Sequence, residues 1–289
     1  MAGQSQPEAI SAGQYPETVI CPHEGWLRID WRRIWQYREL LYFLTWRDVK
    51  VRYKQTVLGF LWAFIQPFLK MVVLSLIFGR LARIDSEGYW YPIFVYAGLL
   101  PWQFFAESLT RSSQSVVASA NLITKVYFPR LIIPLASIGA CLVDFAVSFI
   151  ILAALMAYSA AEHGLTLTPA ILMVGPLIVA TIFASLGPGM LISALNVAYR
   201  DFRYTIAFVV QIWMFLTPVI YPVTIVPHKW QWVLCLNPMA GIVDAYRSAI
   251  LGKPFAWGNL AVSLSVAVAL FVAGAAYFKR MERHFADIV

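Results

Sequence analysis

Six long apolar stretches, separated by short polar ones, dominate the pattern of this chain. A helix needs about 20 predominantly apolar residues to cross the hydrocarbon core of a bilayer. Residues 57–79, 91–110, 131–158, 170–198, 204–226 and 257–278 have that length and character. The segment WRRIWQYRELLYFLTWRDVKVRYK, residues 31–54, is too charged to span and too aromatic for a plain linker. Trp31, Ile34, Leu41 and Leu44 recur at helical spacing, with Arg32, Gln36, Glu39, Arg47 and Lys50 on the other side, which predicts an amphipathic helix lying in the interface. Residues 228–252 carry Trp230, Trp232 and Tyr246 among apolar positions, the pattern of short helices that re-enter the membrane at its outer side. The expected fold is an all-α integral membrane protein. It would comprise a flexible polar lead (1–26), an interfacial amphipathic helix (27–56), a six-helix membrane domain (57–278) and a short tail (279–289).

Polar residues at a spacing of three or four inside an apolar stretch mark its inward face. The first stretch has Gly59, Trp62, Gln66 and Lys70, and the second has Gln103, Glu107, Arg111 and Gln114. Ser137, Cys141, Asp144 and Ser148 follow in the third, then Thr181, Ser185, Gly189, Ser193 and Asn196 in the fourth. Gln211, Phe215, Pro218 and Pro222 mark the fifth, whereas the sixth is featureless after Asn259 and Ser263 and is expected at the periphery. Small hydroxyl side chains often do no more than join membrane helices. Lys70, Glu107 and Asp144 are different, because a charge at mid-bilayer costs about 2.5–3.5 kcal/mol unless it is paired or hydrated. Lys70 and Asp144 lie about 20 Å along their helices at 1.5 Å per residue. Two arrangements are open for them, an ion pair between the two helices or a shared water-filled pathway.

Charge fixes the expected orientation. Of the 22 Lys and Arg residues, sixteen fall in the N-terminal segment, in the connections carrying Arg111, Lys125, Arg130, Arg200 and Arg203, and in the tail. Five (Arg80, Arg83, Lys229, Arg247 and Lys253) fall on the opposite side. By the positive-inside rule both ends are expected in the cytoplasm. Composition agrees with a membrane location: 60% of residues are hydrophobic and 13% charged, against about 25% charged in soluble domains. The net charge of +7 is then attraction to anionic lipid headgroups, not to nucleic acid. Cys21, Cys141 and Cys235 are too few and too scattered for a disulfide framework or a metal site. No GxxxxGK[ST], HExxH, GxSxG or GxGxxG motif is present, so neither ATP binding through a P-loop nor catalysis is expected of the chain itself.

Taken in order, several segments resemble the permease subunit of type-2 ABC exporters of polysaccharides, the O-antigen, capsule and teichoic-acid group. They are RDVKVRYKQTVLGFLWAFIQP (47–67), GLLPWQFFAESL (98–109), NLITKVYFPRLIIPL (121–135), NVAYRDFRY (196–204), LTPVIYP (216–222), NPMAGIVDAYRSAILG (237–252) and ERHFADIV (282–289). The resemblance implies a homodimer whose two copies enclose a channel, each working with one copy of a separate ATPase subunit that would bind ATP and Mg. It also implies a lipid-linked cargo, a glycan on undecaprenyl pyrophosphate, moved from cytoplasm to periplasm across the bacterial inner membrane. On this basis Lys125, Tyr127, Phe128, Pro129 and Arg130 would form a cytoplasmic gate and coupling region, with Arg200, Asp201 and Arg203 at a second turn near the ATPase. Such a cargo needs a wet path walled by aromatic rings and amides, for which Trp62, Gln66, Phe68, Lys70, Trp102, Phe105, Trp213, Phe215 and Tyr221 are the candidates. Arg47, Arg52 and Lys54 are the candidates for the pyrophosphate at the entrance, lipid headgroups being their alternative partners. The runners-up are an ABC permease for a small drug or lipid and a membrane-embedded enzyme acting on a polyprenyl substrate.

Overall fold

The computed structural model describes residues 31–54, 59–166, 168–199, 201–282 and 285, whose regular structure is helical with no strand among them. Arg200 and residues 1–26 lie outside the described residues, as do 55–58 and the rest of the tail motif after Glu282 apart from Phe285. The order is α1 (Trp31–Gln36), α2 (Arg38–Lys54), α3 (Trp62–Leu74), α4 (Tyr91–Ala118), α5 (Ala120–Lys125), α6 (Ile132–Glu162), α7 (Val174–Ala198), α8 (Phe202–Leu216), α9 (His228–Cys235), α10 (Ala240–Leu251) and α11 (Trp257–Glu282). A 3-10 turn (Gly59–Leu61) and a π-helix (Ser75–Leu81) extend α3 at either end, and a 3-10 turn (Pro169–Met173) leads into α7.

Four of these elements are long and apolar enough to cross a bilayer: Gly59–Leu81, Ile132–Glu162, Pro169–Ala198 and Trp257–Glu282. The 28-residue α4 has the length but carries Gln103 near its middle and Glu107 and Arg111 along its second half. Its first half is buried from Ile93 to Trp102, so α4 is the central post on which α6 and α7 pack. The fifth stretch is shorter than its hydropathy suggests, because α8 stops at Leu216. Thr217 is extended (φ −99°, ψ 138°), the conformation that a following proline imposes on its neighbour, and Pro218 and Pro222 carry no N–H to continue a helix.

The N-terminal helices differ from simple amphipathicity. Ile34, Leu44 and Val49 are buried, and α2 packs against α6, where the Thr45 hydroxyl donates to the Ala136 carbonyl at 3.4 Å. Yet Trp35, Tyr42, Phe43 and Trp46 are exposed on the other face, interleaved with Arg38 and Lys50, whose cations lie 5.9 and 5.5 Å from the Trp35 and Trp46 rings. Aromatic rings beside cations suit the headgroup zone of a bilayer. The last helix packs chiefly on α7 and α10. There α7 and α11 touch backbone to backbone. A Cβ on Gly274 would stand 2.1 Å from the Gly187 carbonyl oxygen, and one on Gly187 would stand 2.5 Å from the Phe271 nitrogen.

Between α8 and α11 the chain forms a cap. α9 exposes Trp230 and Trp232, but α10 is buried along nearly its whole length and belongs to the core. At its centre Arg247 is fully buried. Its guanidinium donates to the carbonyls of Val219 (2.6 Å), Tyr221 (3.1 Å) and Phe94 (3.3 Å) and lies 3.9 Å from the Phe94 ring centroid. One cation thus satisfies three backbone carbonyls, two of them in the non-helical turn between Pro218 and Pro222. Tyr91 donates to the Ile220 carbonyl (2.9 Å), and the Asn237 amide to the Thr217 hydroxyl (2.8 Å). At the same end Glu87, itself at φ +56°, pairs with Lys253 and accepts from Thr224 (3.0 Å).

Candidate functional site

A cavity of about 960 Å³ lies among α2, α3, α4, α6 and α8. Along α4 its wall runs from Leu99 to Arg111, about 18 Å at 1.5 Å per residue. Trp62, Gln66 and Lys70 reach it from α3, Trp102, Gln103, Glu107 and Arg111 from α4, and Gln211 and Phe215 from α8. The polar stripes of three helices therefore share one space.

At one end of the cavity stands an ionic group. Arg52, near the end of α2, pairs with Asp144 of α6, and the Tyr53 phenol donates to the same carboxylate. Burial pushes the Tyr53 pKa up against the lowering pull of Arg52, so the phenol keeps its proton to donate. The Arg52 guanidinium also lies 4.0 Å from the Cys141 sulfur, and its Nε is buried without a partner. In the same wall, Arg111 pairs with Glu107 across one helical turn of α4. Lys70 makes no ion pair among the described residues. The expected alternative of a Lys70–Asp144 pair is therefore corrected. The end of α2 folds back onto α6 and brings Arg52 to Asp144, which leaves Lys70 facing the cavity alone.

The other candidates sort by position. Trp62, Gln66, Lys70, Trp102 and Phe215 line the cavity, as does Arg52. Phe105 does not: it is fully buried, and Trp213 sits edge-on to it at 5.1 Å and to Trp102 at 6.4 Å, so these two rings back the wall. Phe68 is exposed on α3 outside the lining, and Tyr221 belongs to the Arg247 cap, its hydroxyl donating to the Phe215 carbonyl (3.2 Å). Arg47 is exposed and pairs with the adjacent Asp48, and Lys54 is exposed at the end of α2. In the connection after α4, Lys125 and Tyr127 are exposed while Phe128 is buried. Pro129 is half-buried there, and Arg130 bonds to Glu282 at the end of α11. Asp201 and Arg203 are exposed at the start of α8.

Tyr53, Glu282 and the central role of Arg247 escape the sequence pattern. Tyr53 and Glu282 meet partners more than 90 residues away, and Arg247 reads there only as one of the few cations of its side.

Residues 39–251 match the family model described as ABC-2 type transporter. Among similar curated proteins is an O-antigen export system permease protein RfbA of Klebsiella pneumoniae, 29% identical over 255 residues that cover 87% of this chain and 95% of the relative. A protein of the same name from Myxococcus xanthus is 29% identical over 261 residues, covering 89% and 98%. The polysialic acid transport protein KpsM of Escherichia coli is 24% identical over 249 residues, covering 82% and 91%.

Proposed function

The chain belongs to the ABC-2 type transporter family, and from that premise we propose that it is the permease subunit of an exporter that carries a lipid-linked polysaccharide from the cytoplasm to the periplasm. In this reading α3, α4, α6, α7, α8 and α11 are the six spans of an inner-membrane protein, with both ends in the cytoplasm as the distribution of Lys and Arg argues. Two copies enclose the path, and a separate ATPase subunit binds ATP and Mg and drives the cycle.

One observation carries the choice of cargo: the cavity that gathers the polar faces of α3, α4 and α8. Its walls combine indole rings (Trp62, Trp102), amides (Gln66, Gln103, Gln211) and two internally neutralised ion pairs. Aromatic faces tolerate the apolar C–H surfaces of sugars, and amides exchange hydrogen bonds with hydroxyl groups as readily as with water. Such a wall lets a neutral polar chain slide without holding it. Lys70 supplies the single unpaired cation among these lining groups, suited to the anionic head of the carrier as it passes. The relatives named for O-antigen export and polysialic acid transport agree with this cargo class.

The test is genetic and chemical together. Cells lacking the chain should lose surface glycan while its lipid-linked precursor accumulates on the cytoplasmic side. Loss of the precursor as well would point to synthesis, and an undisturbed surface glycan would point to a drug or lipid cargo.

A further inference from the structure

The turn between α5 and α6 is held from a distance. Thr124, Lys125, Val126 and Tyr127 are all exposed in sequence, and Tyr127 is 67% exposed. Ile123 before them and Phe128 after them are buried and anchor the projection at both feet. Beyond Phe128 the Arg130 N–H donates to the Glu282 carboxylate at 3.1 Å, and the Arg130 guanidinium donates to the Glu282 backbone carbonyl. The same guanidinium lies 5.9 Å from the Phe285 ring. Phe285 is fully buried and packs edge-on against Phe278 of α11 at 5.2 Å.

The charges suit both helix ends. Glu282 closes α11, where the last carbonyls lack helical donors and the dipole is negative, so the Arg130 cation caps it favourably. Arg130 sits two residues ahead of α6, whose N-terminal dipole is positive, so the Glu282 carboxylate held there by the Arg130 N–H is favourably placed in return. Two residues 152 apart thus close two helix ends against each other.

We infer that the C-terminal end of the chain is a working part of the surface that meets the ATPase. Glu282 and Phe285 are positioning residues that hold Arg130, and through it present Thr124–Tyr127 as a stiff projection. This rests on the exporter reading for its partner. The projection offers an aromatic ring and a valine beside an ammonium, which fits an apolar groove with an acidic rim on the ATPase. A force delivered to Tyr127 then passes to α6 and α11 together instead of being absorbed by a loose turn.

The experiment uses the full chain with its ATPase subunit in proteoliposomes, with Cys21, Cys141 and Cys235 replaced and a nitroxide on Tyr127→Cys. In Glu282→Ala and in Phe285→Ala the nitroxide should gain motion. Without the label, glycan moved per ATP hydrolysed should fall roughly tenfold in Glu282→Ala, the effect of one lost charge-assisted hydrogen bond, and should fall in Phe285→Ala as well. Glu282→Gln should lose less of both properties than Glu282→Ala, since its amide oxygen still accepts the Arg130 N–H though without the charge. Unchanged motion and coupling in the alanine variants would overturn the inference. So would loss of inserted protein in both, because the contact would then serve the fold and not the presentation of the turn. If the unaltered chain moves no glycan while the nitroxide responds as expected, the exporter reading fails and the clasp stands.

Discussion

Inside a span, Asp144 is met by two groups from another segment, Arg52 and Tyr53. Arg52 is 15% and Asp144 25% exposed at the side chain, so the pair is partly hydrated by the cavity and worth less than a dry one. Asp144→Asn should cost about 1–3 kcal/mol, chiefly by leaving Arg52 buried beside Cys141 with its Nε already unpartnered. Adding Arg52→Gln should return part of that loss, and a thermal-stability double-mutant cycle in detergent reads it; additive losses would count against the pair. Lys70 gives the opposite expectation. It has no salt bridge among the described residues, so Lys70→Met should leave thermal stability within about 0.5 kcal/mol while export falls. Unchanged export would remove Lys70 from the path. At this scale the sequence was only partly legible. Hydropathy marks Asp144 and Lys70 as costly residues needing partners, but Arg52 reaches Asp144 across 92 positions through the fold-back of α2, which no local pattern encodes.

Helices were more legible than contacts, because burial in lipid imposes a long apolar run that sequence displays directly. The stretches 131–158 and 170–198 return as α6 and as the Pro169–Ala198 helix, with ends shifted by a few residues. Hydropathy misled where neighbours replaced lipid. The α4 helix runs on through Arg111 to Ala118 because α6 and α7 enclose it, and α10 is core because the carbonyls of the prolines' turn surround Arg247. Glycine is the least legible of all, since nothing local distinguishes a packing glycine from an idle one. Gly274→Ala would drive a methyl group into the Gly187 carbonyl, so α7 and α11 must part, and a loss of about 2 kcal/mol or more is expected. Gly175 meets nothing within 4 Å, and Gly175→Ala should be neutral or slightly stabilising. Comparing the melting of the two variants isolates the close crossing from the general effect of removing a glycine. Equal melting temperatures would mean that the crossing contributes nothing.

For the molecule as a whole, the informative surfaces are those that the helices leave uncovered. α8 buries only Ile206 among its fifteen residues; Phe208 and Ile212 project outward, and Phe215, also exposed, stands in the cavity lining. Phe68 and Leu69 project likewise from α3, which with α8 borders the cavity. Lipid could cover these rings, but lipid tails could not close a wet path lined by Gln66, Lys70 and Gln211. A second copy of the same chain could, by setting its own α3 and α8 opposite, and a twofold axis would bring each residue near its counterpart. Phe215→Cys, in a chain without its native cysteines, should therefore yield a disulfide-linked dimer on mild oxidation in membranes. Ile150→Cys on α6, equally exposed but away from the cavity lining, should remain monomeric. Cross-linking at both positions alike would mean random collision, and at neither would mean that the path is closed within one copy. The purified chain should hydrolyse no ATP by itself, and turnover without a second polypeptide would count against the exporter reading. If the pattern holds, the exposed rings of α3 and α8 are the inner edges of a two-copy passage, and the apolar surface that looks unfinished in one chain is completed by its twin.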